Sequence, residues 1–540
     1  MTLPLRTPPP THGASASRTR IAVLVAASLR ANGFGVALSL LVLIGLGLRL
    51  AVIASPLGEI DGDEAVVGLM ARHIAFLGEW PVFYWGQPYL GSLEAFTAAP
   101  LFRVFDSSTF VLKLVPTAYS LGFLVLSGLF ARQLFGSAAG LATGAYLAIP
   151  PSVWAVWSSK ARGGYAELLF LGEALLLVSL PLARSPNRRL AMLWGLLAGL
   201  AFWTHLLAVV YVIPAAVYVA FGRGRWSAAR IGMLVLGVLV GMLPLLIDNV
   251  SNGFRTLAAL LQPPDLPVDP IAQFLRFFRV GVPVLVGLGQ PTTSQAMFDQ
   301  DWPLRPAGHL AVAILAVVVL AAAVLVYVPA LRRMARCGAD RLSAPSLLVL
   351  LALVVPPVVA LTRFGFFVSE PRYALPLYST VPLLVGALWR LPWRVARWPV
   401  VVAVLAFNLW SLLSTDPRLW RPEETPDSTA ATRAELVGYL VPQDRHQMYT
   451  DYWIGYPVMF ETRETVLAYV ISGGFNRYVP PADNVQRTPN PAWVFEPGTD
   501  AEQEFLAQLS ALGGQAHVEQ VSVYRVYTDV QPLEAMRPPR

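Results

Sequence analysis

Runs of about 17 to 22 apolar residues constrain this chain more than any other feature, because each is long enough to cross a hydrocarbon core of roughly 30 Å as a helix. They fall at about 36–54, 111–131, 137–155, 165–183, 190–205, 206–221, 231–247, 307–329, 345–361, 373–389 and 398–414. Backbone N–H and C=O groups cannot bond to water inside lipid, so segments of this kind cross as helices. The expected fold is a polytopic α-helical membrane protein with about 11 transmembrane helices. Composition agrees, since 55% of the 540 residues are hydrophobic and 14% are charged, against roughly 25% charged in soluble domains.

Arginines assign the sides. Arg18, Arg20 and Arg30 precede the first run; Arg184, Arg188 and Arg189, then Arg223, Arg225 and Arg230, then Arg332, Arg333, Arg336 and Arg341, then Arg390, Arg394 and Arg397 occupy alternate loops. The positive-inside rule makes these loops and the amino terminus cytoplasmic, and the odd number of spans puts the carboxy terminus outside. Localisation is therefore read as multi-pass in the inner or plasma membrane. The net charge of +7 comes almost wholly from arginine, and with this topology it does not read as nucleic-acid binding. The single Cys337 excludes an internal disulfide framework.

Residues 1–34 read as a disordered cytoplasmic tail, 35–415 as the membrane domain with a long first outer loop at 55–110, and 416–540 as a small extracytoplasmic α/β domain. In the last, Ala434–Leu440 and Glu502–Leu512 have helical patterning, whereas Met448–Trp453, Val466–Ile471, Trp493–Phe495 and Val518–Tyr527 read as strands.

The first outer loop carries the densest chemistry. Glu59, Asp61, Asp63 and Glu64 crowd the mouth of the first span, and Val66, Leu69, Met70, Ile74 and Leu77 then recur at helical spacing, as in an amphipathic helix lying on the membrane surface. Asp63, at or near the start of that helix, has two readings: an N-cap with Glu64 as a first-turn acid, or a general base whose pKa is raised by apolar walls. Asp61, two residues earlier, leaves the choice of base between the two open. Downstream, Trp85, Gln87 and Tyr89 read as an interfacial aromatic belt or as a sugar platform. Glu94 sits in an apolar stretch, where an acid is costly unless it faces water or a partner.

Asp63-Glu64 after the first span, the helix that follows, and Gly86-Gln87-Pro88-Tyr89-Leu90 before the second span resemble the GT-C membrane glycosyltransferases, in particular glycosyltransferase family 39, which includes protein O-mannosyltransferases and aminoarabinose transferases. The resemblance covers about 36–415, with Pro88-Tyr89-Leu90 standing where the family has Pro-Pro-Leu. It implies a GT-C fold and a polyprenyl-phosphate-linked sugar donor, with no nucleotide sugar.

Two outer loops break the positive-inside rule. Lys160 and Arg162 flank Ala161 beside Gly163-Gly164, and read as a site for an anionic ligand such as a lipid phosphate or as charge pairs to outer-loop carboxylates. Arg363 and Arg372 repeat the anomaly, and the pair Arg372-Tyr373 resembles the family's late-span motif, which implies a contact from Arg372 to the donor phosphate. Arg49, late in the first span, reads as snorkelling outward or approaching that phosphate. His205 reads as a hydrogen-bonded packing residue rather than a metal ligand, and is counted with the residues that would contact sugar or acceptor.

The function expected is transfer of a monosaccharide from a polyprenyl-phosphate donor to an extracytoplasmic lipid, glycan or protein acceptor by inverting displacement. The alternatives are a polymerase or ligase of lipid-linked glycans and a lipid or sugar transporter. Asp61, Asp63 and Glu64 are oxygen ligands suited to a divalent cation such as Mg or Mn, although no metal is assigned.

Overall fold

The computed structural model describes residues 13–262, 269–288, 324, 326–332, 342–361, 371–390, 397–422 and 425–538. The expected span at 307–329, Arg363, Cys337 and the arginines at 333, 336, 341 and 394 lie wholly or mostly outside the described residues. The first helix, α1, runs Gly13–Ile53, so the backbone is helical well inside the segment expected to be a disordered tail.

Among the described residues, three helices are by themselves long and apolar enough to cross a membrane: Asn32–Ile53 within α1, α4 (Thr109–Phe135) and α7 (Tyr165–Arg184). Ala228–Gly241 and Leu243–Ser251 form a fourth candidate bent by 65°. The other expected spans within the described residues coincide with shorter or broken helices, so the described residues fall short of eleven unbroken spans. Proline is a recurring cause. The run 137–155 is split into α5 (Ser137–Ala148) and α6 (Ser152–Trp157) at Pro150-Pro151, and 373–389 is interrupted at Pro376 and Pro382.

Helix packing in this part relies on small residues. Gly195 and Gly199 on α8 (Arg188–Thr204) face Gly237 and Gly241 on the helix Ala228–Gly241, and a Cβ at any of them would strike the facing backbone. The buried Arg49 does not snorkel or reach the outer surface. It donates to Ser120 Oγ at 2.8 Å, Gly45 O at 3.0 Å and Leu147 O at 3.3 Å, tying α1 to α4 and α5.

The loop at 55–110, expected on the outer side, folds into α2 (Gly62–Arg72) and α3 (Leu93–Phe105). Helix α2 is not a surface helix with one wet face. Nine of its residues are buried, because α3 covers one side and the helix Tyr452–Glu461 of the C-terminal domain the other. Gly62 and Gly68 permit this approach: a Cβ would meet the ring of Tyr452 at 2.7 Å or that of Phe460 at 2.5 Å.

The C-terminal domain is a five-stranded sheet ordered β2-β1-β3-β5-β4, with β1 Gln447–Asp451, β2 Leu467–Ser472, β3 Ala492–Phe495, β4 Gln515–Val521 and β5 Tyr524–Gln531. The first three strands are parallel, and β5 and β4 close the sheet antiparallel. The strand expected over Val518–Tyr527 is a hairpin reversing at Ser522-Val523, where Ser522 adopts φ 55°. The strand expected over Met448–Trp453 stops at Asp451, whose side chain accepts from Trp453 N at 2.8 Å and caps the helix Tyr452–Glu461. Arg433 joins the domain to the first loop through Glu59 at 3.4 Å while pairing with Glu461 at 2.6 Å.

Candidate active site

The three clustered acids of the first loop have three different environments. Asp61 is the N-cap of α2: its Oδ1 accepts from Glu64 N at 3.0 Å, and the Asp61 N–H reaches back to Glu64 Oε2 at 3.4 Å, completing a capping box. The N-cap reading thus belongs to Asp61, with Asp63 one residue inside the helix. Glu64 is fully buried and accepts from Lys113 Nζ at 2.5 Å and from Ala161 N at 2.9 Å. Lys160 Nζ bridges Asp61 Oδ2 at 2.7 Å and Glu64 Oε2 at 3.5 Å. Lys160 is thereby engaged in the charge-pairing arrangement, and the two carboxylates hold its ammonium above its usual pKa against the opposing effect of burial.

Asp63 is the most open of the three, with 17% of its side chain exposed against 5% for Asp61 and none for Glu64. Its two oxygens face different parts of the chain. Oδ2 lies 3.0 Å from Arg162 Nε and 4.0 Å from Arg372 Nη1, both from the membrane domain. Oδ1 accepts from Tyr452 Oη at 2.8 Å and Tyr84 Oη at 3.3 Å, with Arg477 Nη2 at 3.5 Å. Burial pushes the carboxyl up, but Arg162, Arg477 and Arg372 outweigh it and the nearby Asp61, so Asp63 titrates below the usual carboxylate range. The rise expected from apolar walls is reversed because guanidinium groups, not only apolar side chains, line the site. Burial and the charge on Asp63 keep the phenols of Tyr84 and Tyr452 well above their ordinary value, hence as donors.

Glu94 has found partners. Its Oε2 accepts from Gly163 N at 2.9 Å and Gly164 N at 3.0 Å, and these glycines take φ 84° and 81°, a conformation that aims both N–H groups at one oxygen. Burial first, and then Glu167, pushes the Glu94 carboxyl well above its usual range. The contact anchors the Lys160–Gly164 loop and so positions Arg162.

The aromatic segment packs against the C-terminal domain. Trp85 stacks on Tyr478 with centroids 4.1 Å apart and meets His73 edge-on at 5.0 Å. Gln87 and Tyr89 are half-buried in a turn where Gln87 O accepts from Tyr89 N at 2.8 Å. His205 Nδ1 accepts from Leu207 N at 3.0 Å and the ring packs on Tyr165 at 4.7 Å, a capping and packing arrangement. The acid cluster does not fit a divalent cation, since each carboxylate already faces lysine or arginine; among the described residues no group of three or more His, Cys, Asp or Glu is arranged to hold one.

Sequence reasoning missed Lys113 and Arg477 as members of this site, and did not connect the aromatic residues Tyr84 and Tyr452 with Asp63. Lys113 carried a signal, being one of two lysines in the chain and lying at the outer end of a span, against the positive-inside rule. Arg477 carried none beyond a loop after Gly473-Gly474.

A membrane domain of partly broken helices, two helices in the first outer loop and an α/β domain seated on them define the GT-C architecture, and this chain has that fold. Among solved structures it is similar to ArnT from Cupriavidus metallidurans in the apo state, at 15% identity and TM-score 0.60 over 97% of this chain and 100% of that one. It is also similar to the same protein bound to undecaprenyl phosphate, at 15% identity and TM-score 0.58 over 94% of this chain and 100% of that one. No family model and no curated protein matches the sequence.

Proposed function

We propose that the protein is an integral membrane glycosyltransferase that moves a monosaccharide from a polyprenyl-phosphate donor to an extracytoplasmic acceptor with inversion. One observation carries this reading: a single partly open carboxylate, Asp63, has Arg162 and Arg372 on one of its oxygens. A base and cations side by side suit a reaction in which a hydroxyl is deprotonated while a phosphate departs. The binding of undecaprenyl phosphate by ArnT, a protein of the same fold, supports a lipid phosphate as the leaving group.

In this mechanism the acceptor hydroxyl gives its proton to Asp63 as its oxygen bonds to the anomeric carbon. The bond from that carbon to the phosphate oxygen breaks, and its electron pair stays on the phosphate. Arg162 and Arg372 offset the charge that grows there. Tyr84 and Tyr452 hold Asp63 in place, and Asp61, Glu64, Lys113 and Lys160 fix the start of α2. The site faces the extracytoplasmic side, with the amino terminus in the cytoplasm.

The test is transfer from a polyprenyl-phosphate-linked sugar by the purified full-length protein, wild type beside Asp63→Asn. Loss of transfer with donor binding retained supports the assignment. Full transfer by Asp63→Asn removes Asp63 as the base.

A further inference from the structure

The contribution of the C-terminal domain to this site is carried by Arg477, on the loop between β2 and the helix Val479–Arg487. Its side chain is 10% exposed, its Nε donates to Tyr452 Oη at 3.1 Å, and its Nη2 stands 3.5 Å from Asp63 Oδ1. The guanidinium packs on Phe475, Tyr84 and Tyr452 at 4.4, 5.1 and 5.3 Å from the ring centroids. Its Nη1, however, is buried and has no hydrogen-bond partner among the described residues. A buried donor on a charged group is costly to leave unsatisfied, and arginine's rigid fork is suited to an oxyanion.

The loop is built to hold that fork still. Tyr456 Oη accepts from Arg477 N at 2.6 Å and Tyr478 N at 3.3 Å, while the Asn476 side chain bonds both the N–H and the C=O of Val470. Gly86, with φ 75°, leaves room for Phe475, since a Cβ there would meet the ring at 2.6 Å. Asp63 thus stands between Arg372 from the membrane domain and Arg477 from the C-terminal domain.

We propose that Arg477 is a donor-phosphate ligand: its Nη1 takes a non-bridging phosphate oxygen of the lipid donor, so the C-terminal domain completes the donor site. This deepens the glycosyltransferase reading and rests on it.

Binding of undecaprenyl phosphate to the full-length protein in nanodiscs tests it, with wild type, Arg477→Gln, Arg477→Lys and Arg372→Gln compared and thermal unfolding recorded for each. Arg477→Gln is expected to weaken binding by about 10-fold or more, the usual scale for a lost charged hydrogen bond, and Arg477→Lys to recover part of it, with both variants folded. If Arg477→Gln binds like wild type while Arg372→Gln binds more weakly, the proposal falls and the glycosyltransferase reading stands. If Arg477→Gln and Arg477→Lys bind equally weakly and both unfold early, Arg477 is a docking residue and the proposal also falls. Absence of binding by the wild type overturns the reading on which it rests.

Discussion

Lys113 Nζ lies 2.5 Å from Glu64 Oε1, and both side chains are buried to 1% exposure or less. This pair separates two adjacent acids that look equivalent in the sequence: Glu64 is held by a cation inside the protein, whereas its neighbour Asp63 opens to the site.

Glu64→Gln should therefore act on stability. Removing one partner of a buried ion pair costs about 3 to 5 kcal/mol, because the remaining charge has no compensation, and Lys160 loses a neighbour as well. Thermal unfolding in detergent is expected to shift down strongly. An unshifted melt would mean that Lys113 is solvated in the membrane-embedded protein.

Asp63→Asn should act on rate. The amide keeps the size of the side chain and cannot take the acceptor's proton, so transfer is expected to fall about 10²- to 10⁴-fold with the protein still folded, and with a smaller fall in melting temperature than Glu64→Gln because Asp63 is the more open of the two. Single-turnover transfer with bound donor measures this directly.

Arg372→Ala should weaken donor affinity as well as rate, because a charge-assisted contact to phosphate is lost in both ground and transition states. A donor titration in which KM is unchanged and only kcat falls would confine Arg372 to the transition state.

The pH profile follows from the sign of the Asp63 shift. Its carboxyl titrates below the usual range because Arg162, Arg477 and Arg372 outweigh burial, so the acid limb of kcat/KM should lie below about pH 3.9, the ordinary aspartate value. Arg162→Gln removes one of these cations, and the limb should move to higher pH. A limb unmoved by Arg162→Gln belongs to another group.

His73 provides a second pH effect, at the seam between the first loop and the C-terminal domain. Its Nε2 lies 2.9 Å from Glu464 and its Nδ1 3.1 Å from Glu79; burial lowers its pKa, but these two carboxylates raise it above the ordinary value overall. The stability it adds is fully present below about pH 6.5 and lost as pH rises through the raised value. The melting-temperature gap between wild type and His73→Gln should be larger on the acid side. A gap that does not vary with pH would assign His73 to packing on Trp85 and Tyr478.

Much of this protein follows from one-dimensional information. Long apolar runs specify membrane helices because lipid offers the backbone no hydrogen bonds. Cations on the wrong loops mark Lys160, Arg162 and Arg372, because topogenic charge would lie on the other side. Both signals are local, carried by length, spacing and side, and Asp63 at the head of α2 was legible for the same reason. The sorting of Asp61, Asp63 and Glu64 was not, since it depends on which acid Lys113, Lys160 or Arg162 reaches, and those residues are 49, 99 and 99 positions from their partners. Nor was the helix Tyr452–Glu461 legible, because it is buried on nearly every side and has no apolar stripe to set its period. Spacing along the chain was enough to place an acid and several arginines together at the ends of membrane helices. It takes the packed fold to bring Arg477 and Tyr452, 414 and 389 positions from Asp63, onto its other oxygen. That contact arises from docking two domains, and no local pattern encodes which side chains such a docking brings within hydrogen-bond reach.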